Sequence, residues 1–193
     1  MKLILMMICL LSVSLAWAKG SAKVVLLIGE ASFAGKALTK TSSLQGTGEI
    51  VVGNKSYLKL LLSESQTVIA LGANTTSRLN ISAPAEKQEL NLIKGIARWV
   101  TGNKKGLGIK TSNATMGVRG TDFYTSYHPL LGETEIVCFE GTLELTNANN
   151  STDSKLIKKN QWGGIGGRFG NKVSSILDLS PELIKTFDSA LAK

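Results

Sequence analysis

Thr111-Ser112-Asn113-Ala114-Thr115-Met116-Gly117-Val118-Arg119-Gly120-Thr121-Asp122-Phe123 and the later Thr134-Glu135-Ile136-Val137-Cys138-Phe139-Glu140-Gly141-Thr142-Leu143-Glu144-Leu145 decide the fold. Both are short runs of β-formers that break at a glycine. Gly120 allows backbone angles closed to other residues, which suits a bulge or corner. Val118 and Phe123 supply core. The run Ile136 to Phe139 is apolar on both faces, as expected inside a two-layer β structure. Arg119 carries five donors in a rigid fork and is expected to act as an internal strut, held by Glu140, Asp122 or loop carbonyls.

Outward from these stretches the same rhythm continues. Candidate strands cover 24–28, 49–52, 57–62, 67–71, 90–93, 95–100, 108–111, 114–118, 122–127, 134–139 and 142–146. Turn signals such as Gly53-Asn54, Gly102-Asn103 and Glu140-Gly141 separate them. Leu58, Leu60 and Leu62 share one face, and Leu90 and Leu92 alternate with polar neighbours. No long helical pattern intervenes, which disfavours a doubly wound α/β fold. The expectation is an all-β domain over 22–160, a compact roll, sandwich or short solenoid of roughly ten to thirteen strands.

A polar loop is expected at 147–154, and another at 82–88 around Pro84. Residues 161–193 read as a glycine-rich linker followed by one C-terminal helix. Ser180 is the N-cap, Pro181 the first helical residue and Glu182 an acid in the first turn. Leu183, Phe187 and Leu191 form one stripe with Ile184 beside them, suited to covering an edge or face of the β core.

The first eighteen residues read as a cleavable signal peptide. Lys2 precedes an apolar run from Leu3 to Leu15, and Ala16-Trp17-Ala18 supplies small residues before a cut at Lys19. About 13 apolar residues fall short of the roughly 20 that span a bilayer. The mature protein is therefore expected outside the cytoplasm without an integral membrane segment.

Charge and composition narrow the function. The chain has 22 Lys and Arg against 14 Asp and Glu, a net charge of +8 that becomes +7 once Lys2 leaves with the leader. With 43% hydrophobic and 19% charged residues, disorder is disfavoured. One histidine makes a zinc site improbable, and no Ser-His-Asp set can be assembled. Cys138 reads as a small buried apolar side chain, since a nucleophile needs a base and His128 lies in a turn-like stretch. Glu133 and Glu135 share a strand face at a spacing a glycosidase can use, yet surface acids are the ordinary reading. Gly163 to Gly170 lacks the register of a phosphate loop. Six Asn-x-Ser/Thr sequons read as turn chemistry. No enzyme activity, cofactor or metal is expected. The basic residues are scattered, which disfavours nucleic acid and leaves an envelope protein or an anionic cell-wall or lipid polymer as partner.

Between Gly29 and Asn147 the chain resembles the periplasmic domain of FecR-type regulators and of free-standing exported proteins. The resemblance rests on Thr111, Ala114 and the run Val118, Arg119, Gly120, Thr121, x, Phe123. The later strand, turn and strand through Glu140 and Gly141 resembles the same family. Gly95-Ile96-Ala97-Arg98 and the stretch 48–62 match its earlier part. The resemblance implies a mainly β module that binds and relays, with those nine motif residues in structural roles. FecR-type regulators also carry a cytoplasmic anti-sigma segment, a transmembrane helix and a C-terminal transporter-engaging subdomain. Here a leader precedes Val24 and 33 residues follow Asn160, so sigma-factor and iron signalling are not implied. The expected function is a non-catalytic periplasmic binding module, to which the resemblance adds sensing or relay of an envelope signal. The alternative is a structural, oligomeric envelope component.

Overall fold

Alternating burial along the chain builds two β layers around one apolar interior. The computed structural model describes residues 20–82, 84, 87–101 and 105–191, excluding the side chains of 105–107, 118 and 119. The expected leader over 1–18 lies outside the described residues, as does the Arg119 side chain.

The strands in chain order begin with β1 (Ser21–Ile28), β2 (Ala31–Phe33), β3 (Lys36–Ala37), β4 (Ser43–Gln45) and β5 (Thr47–Val52). Next come β6 (Tyr57–Leu62), β7 (Val68–Leu71), β8 (Thr76–Asn80), β9 (Glu89–Val100) and β10 (Lys105–Lys110). The last group is β11 (Ala114–His128), β12 (Glu133–Asn147), β13 (Asn150–Lys158), β14 (Gln161–Ile165) and β15 (Leu177–Asp178). Helix α1 (Pro181–Ala190) follows. The result is mainly β with a C-terminal helix, as the sequence implies, though with fifteen strands among the described residues.

Three long strands serve both layers. One layer runs β4, β1, β6, β7, then the second halves of β9 and β11, the first half of β12, β14 and β15. The other runs β3, β2, β5, β8, then the first halves of β9 and β11 around β10, and the second half of β12 with β13. Strand β9 crosses at Gly95, whose φ is +99°. Strands β11 and β12 cross side by side at Gly120 and Gly141, at the opposite end of β9's second half. A Cβ on Gly141 would lie 2.4 Å from Gly120 O, and its φ of +80° adds strain for any L side chain. The ladder between β11 and β12 loses register there, between Arg119 and Asp122.

The interior holds Ile50, Leu58, Leu60, Leu62, Ile69, Trp99, Phe123 and Leu145, all fully buried. A second apolar cluster lies on the outer side of the first layer, around Tyr57, Ala70, Tyr124 and Val137, under α1. The helix cap forms as read, with Ser180 Oγ accepting from Leu183 N. The helix covers a face, and its packed stripe is Ile184, Phe187 and the following Leu191, while Leu183 stays half exposed.

Two local expectations are corrected. The polar stretch 147–154 is a tight turn entering β13, and the glycine-rich linker begins as strand β14, paired to β12 from Thr134 to Val137. Gly163 and Gly164 are strand residues because Ile176 and Phe169 occupy the space a side chain would need. Part of the expected loop at 82–88 lies outside the described residues.

Candidate functional site

The hairpin joining β11 to β12 ends in His128-Pro129-Leu130-Leu131-Gly132. Leu130 is 91% exposed and Leu131 59%, so two large apolar side chains stand in water at one tip. Beside them opens a concavity of about 620 Å³ whose lining includes Lys94, Ile96, Tyr127, Glu133, Glu135 and Arg168.

The tip is fixed from below by polar side chains of the motif region. Asn113 Nδ2 donates to Gly132 O at 2.5 Å and to Ile165 O at 3.2 Å. Thr134 Oγ1 donates to Asn113 Oδ1 at 2.6 Å, and Thr111 Oγ1 lies 2.8 Å from Thr134 Oγ1. The Ala114 amide closes the turn by donating to Thr111 Oγ1. Ser112 bonds the Tyr127 hydroxyl from the same turn. Thr111 and Thr134 are buried, so breaking this network strands polar atoms without solvent.

Glu133 and Glu135 share one cation. Arg168 Nη2 lies 2.7 Å from Glu135 Oε1, its Nε lies 3.4 Å from Glu133 Oε1, and its backbone amide donates to Glu133 Oε2. Trp162 Nε1 and Ser126 Oγ also donate to Glu135. The Arg168 guanidinium stacks 5.3 Å from the Trp162 ring and 5.0 Å from Phe169. The acids expected on the surface are thus only 13% and 16% exposed and are engaged by one guanidinium. A glycosidase pair needs one free acid and one free carboxylate, which this arrangement does not offer.

Cys138 is fully buried and its thiol donates toward Glu140 O at 3.4 Å. Burial pushes its pKa up to about 11, the reverse of an activated thiolate. It pairs with Phe123 while His128 pairs with Glu133, which places the two about 17 Å apart along the ladder. No group of three or more metal-ligating side chains occurs among the described residues.

The motif residues divide between two ends of the long strands. Thr111 and Ala114 sit under the hairpin tip, and Gly120, Thr121, Glu140 and Gly141 form the opposite corner. Thr121 donates its amide to Thr101 Oγ1, Phe123 is fully buried and Glu140 is exposed. Val118 and Arg119 lie on β11, opposite Leu143 and Thr142. Asp122, one of the acids expected to hold Arg119, is taken by Arg98 in a two-pronged pair with both contacts at 2.8 Å. The hydrogen bonds to Asp122 raise the pKa of Arg98. Arg98 also reaches Asp188 on α1 at 2.7 Å. This clasp joins residues up to 90 positions apart, so no local sequence signal marks it.

The sequence profile of the family described as FecR protein matches residues 48–144. No curated protein matches the chain. Among solved structures it is similar to a candidate anti-sigma factor from Parabacteroides distasonis ATCC 8503, solved at 2.50 Å and again at 1.65 Å. The TM-scores are 0.58 and 0.57 at 17% identity, covering 72% and 71% of this chain. The chain spans 63% and 62% of those two structures, less than two thirds of their length.

Proposed function

The chain belongs to the FecR family, and from that membership we propose a non-catalytic interaction module, exported to the periplasm, that relays an envelope signal by docking a partner protein at the hairpin tip. One observation carries the reading: Leu130 and Leu131 are held in water on a tip anchored by Asn113, Thr111 and Thr134. Exposed apolar side chains on a rigid support are the ordinary anchors of a protein interface, because little ordering entropy is lost on docking. The two acids beside them, Glu133 and Glu135, are already paired with Arg168, which favours recognition over chemistry. The description of the structural relatives as candidate anti-sigma factors supports relay, and the leader supports export.

Replacement of Leu130 by a photo-crosslinking residue tests this in periplasmic extract. The expected result is one saturable protein adduct, absent when the crosslinker replaces exposed Lys36 and abolished by Leu131→Asp. Equal labelling at both positions, or none, refutes the tip as a docking point. Retention on purified cell wall without a protein adduct replaces the protein partner with a polymer.

A further inference from the structure

Lys94, Glu133, Glu135 and Arg168 line the concavity beside the hairpin tip, and their formal charges cancel. Their depths do not match. Glu133 and Glu135 are largely buried and turned onto Arg168, whereas the Arg168 side chain is 58% exposed. Lys94 is exposed, and its ammonium makes no ion pair or hydrogen bond among the described residues. His128, also in the lining, carries no negative charge in either protonation state. The charge that meets solvent at the mouth is therefore positive, with the negative charge beneath it. Lys94 and Ile96 flank the bend of β9 at Gly95, so a free cation and an apolar side chain reach the same hollow as Leu130 and Leu131.

Resting on the docking role of the tip, we propose that the partner segment seated there is acidic: a polypeptide stretch whose apolar side chain packs against Leu130, Leu131 and Ile96 while a neighbouring carboxylate pairs with Lys94. An apolar centre with a polar rim is the ordinary build of a protein interface. The two leucines need apolar side chains opposite them, which a polysaccharide lacks. A flat bilayer cannot fill a hollow of about 620 Å³. A basic segment would bring like charge against Lys94 and the exposed Arg168, which an interface penalises.

Three capped pentapeptides test this, with leucine at the second and fourth positions and aspartate, serine or lysine at the others. The methyl resonances of Leu130, Leu131 and Ile96 in the purified protein are the readout. The aspartate peptide is expected to shift them at about threefold lower concentration than the serine peptide, with the lysine peptide weakest of the three. High salt should shrink that preference. Lys94→Glu is expected to cancel or reverse it with an unchanged melting temperature, while Lys36→Glu, at exposed Lys36 on β3, leaves it intact. Equal response to the aspartate and serine peptides, or a preference that survives Lys94→Glu, overturns the acidic partner. Either result leaves the tip as a docking point, which the Leu130 crosslink decides separately. Response to none of the peptides also overturns the proposal, and a shift of the same methyls by phosphatidylglycerol vesicles alone replaces the segment with a lipid surface.

Discussion

The interior between the layers and the outer face under α1 are both apolar, yet they are built by opposite means. The interior is closed by strands that belong to both layers and is filled by fully buried side chains such as Leu60 and Trp99. The outer face is covered by a ten-residue helix with no fully buried residue of its own. That helix is held by Phe187 against Tyr124 at 5.4 Å, by Tyr57 donating to Leu191 O, and by the Arg98–Asp188 pair. The difference teaches that the cover depends on the core, since an isolated ten-residue helix is marginal in water.

Substitutions in the two regions should separate accordingly. Leu60→Ala, in the interior, is expected to cost about 4 kcal/mol through lost burial and a residual cavity, read as a global fall in denaturant midpoint. Gly141→Ala is expected to cost about 2–3 kcal/mol, because the added methyl meets the fixed Gly120 carbonyl at positive φ. Hydrogen exchange should then rise in both layers, as expected for a corner they share. Arg98→Ala should cost less, about 2 kcal/mol, by stripping a largely buried Asp122 of its charged partner. Exchange should quicken throughout α1 while β6 and β7 stay protected. Equal loss of protection in both would erase the distinction between core and cover.

The smallest effect is a pH dependence at the seam beside β13. Hydrogen bonds from Asn147 Nδ2 and the Val173 amide hold Asp153 below its ordinary value near 3.8. A carboxyl whose folded pKa is depressed stabilises fully above its unfolded value and loses that stabilisation as pH falls through the folded one. The Val173 amide should therefore exchange faster only below about pH 4, and Asp153→Asn should remove that dependence.

The alternating strands of the interior were legible because burial on one face writes a period of two into the sequence. The breaks read near Lys94, at 119–121 and at 140–141 mark real bends, but the chain continues through them as β9, β11 and β12. A strand that changes layers must reverse which face is apolar, so the pattern is interrupted where the strand is not. Strand β13 was hidden because Ile157 is its one fully buried residue. Strand β14 was hidden because its packing is made by glycines, which carry no hydrophobic signal. At the candidate site the spacing of Glu133 and Glu135 was visible, while Arg168, their partner, was not. The exposed pair Leu130-Leu131 carries no mark in sequence, since only the fold shows that nothing covers it among the described residues.

Strands β11 and β12 each run through both layers before meeting at Leu130 and Leu131. Tension applied at that point would run along the strand direction into the two ladders that flank the hairpin, β11 with β9 and β12 with β14, so the cross-strand bonds resist together in shear instead of parting one at a time. A tug at the hairpin is thereby shared among β9, β11, β12 and β14 before it reaches the corner at Gly120 and Gly141.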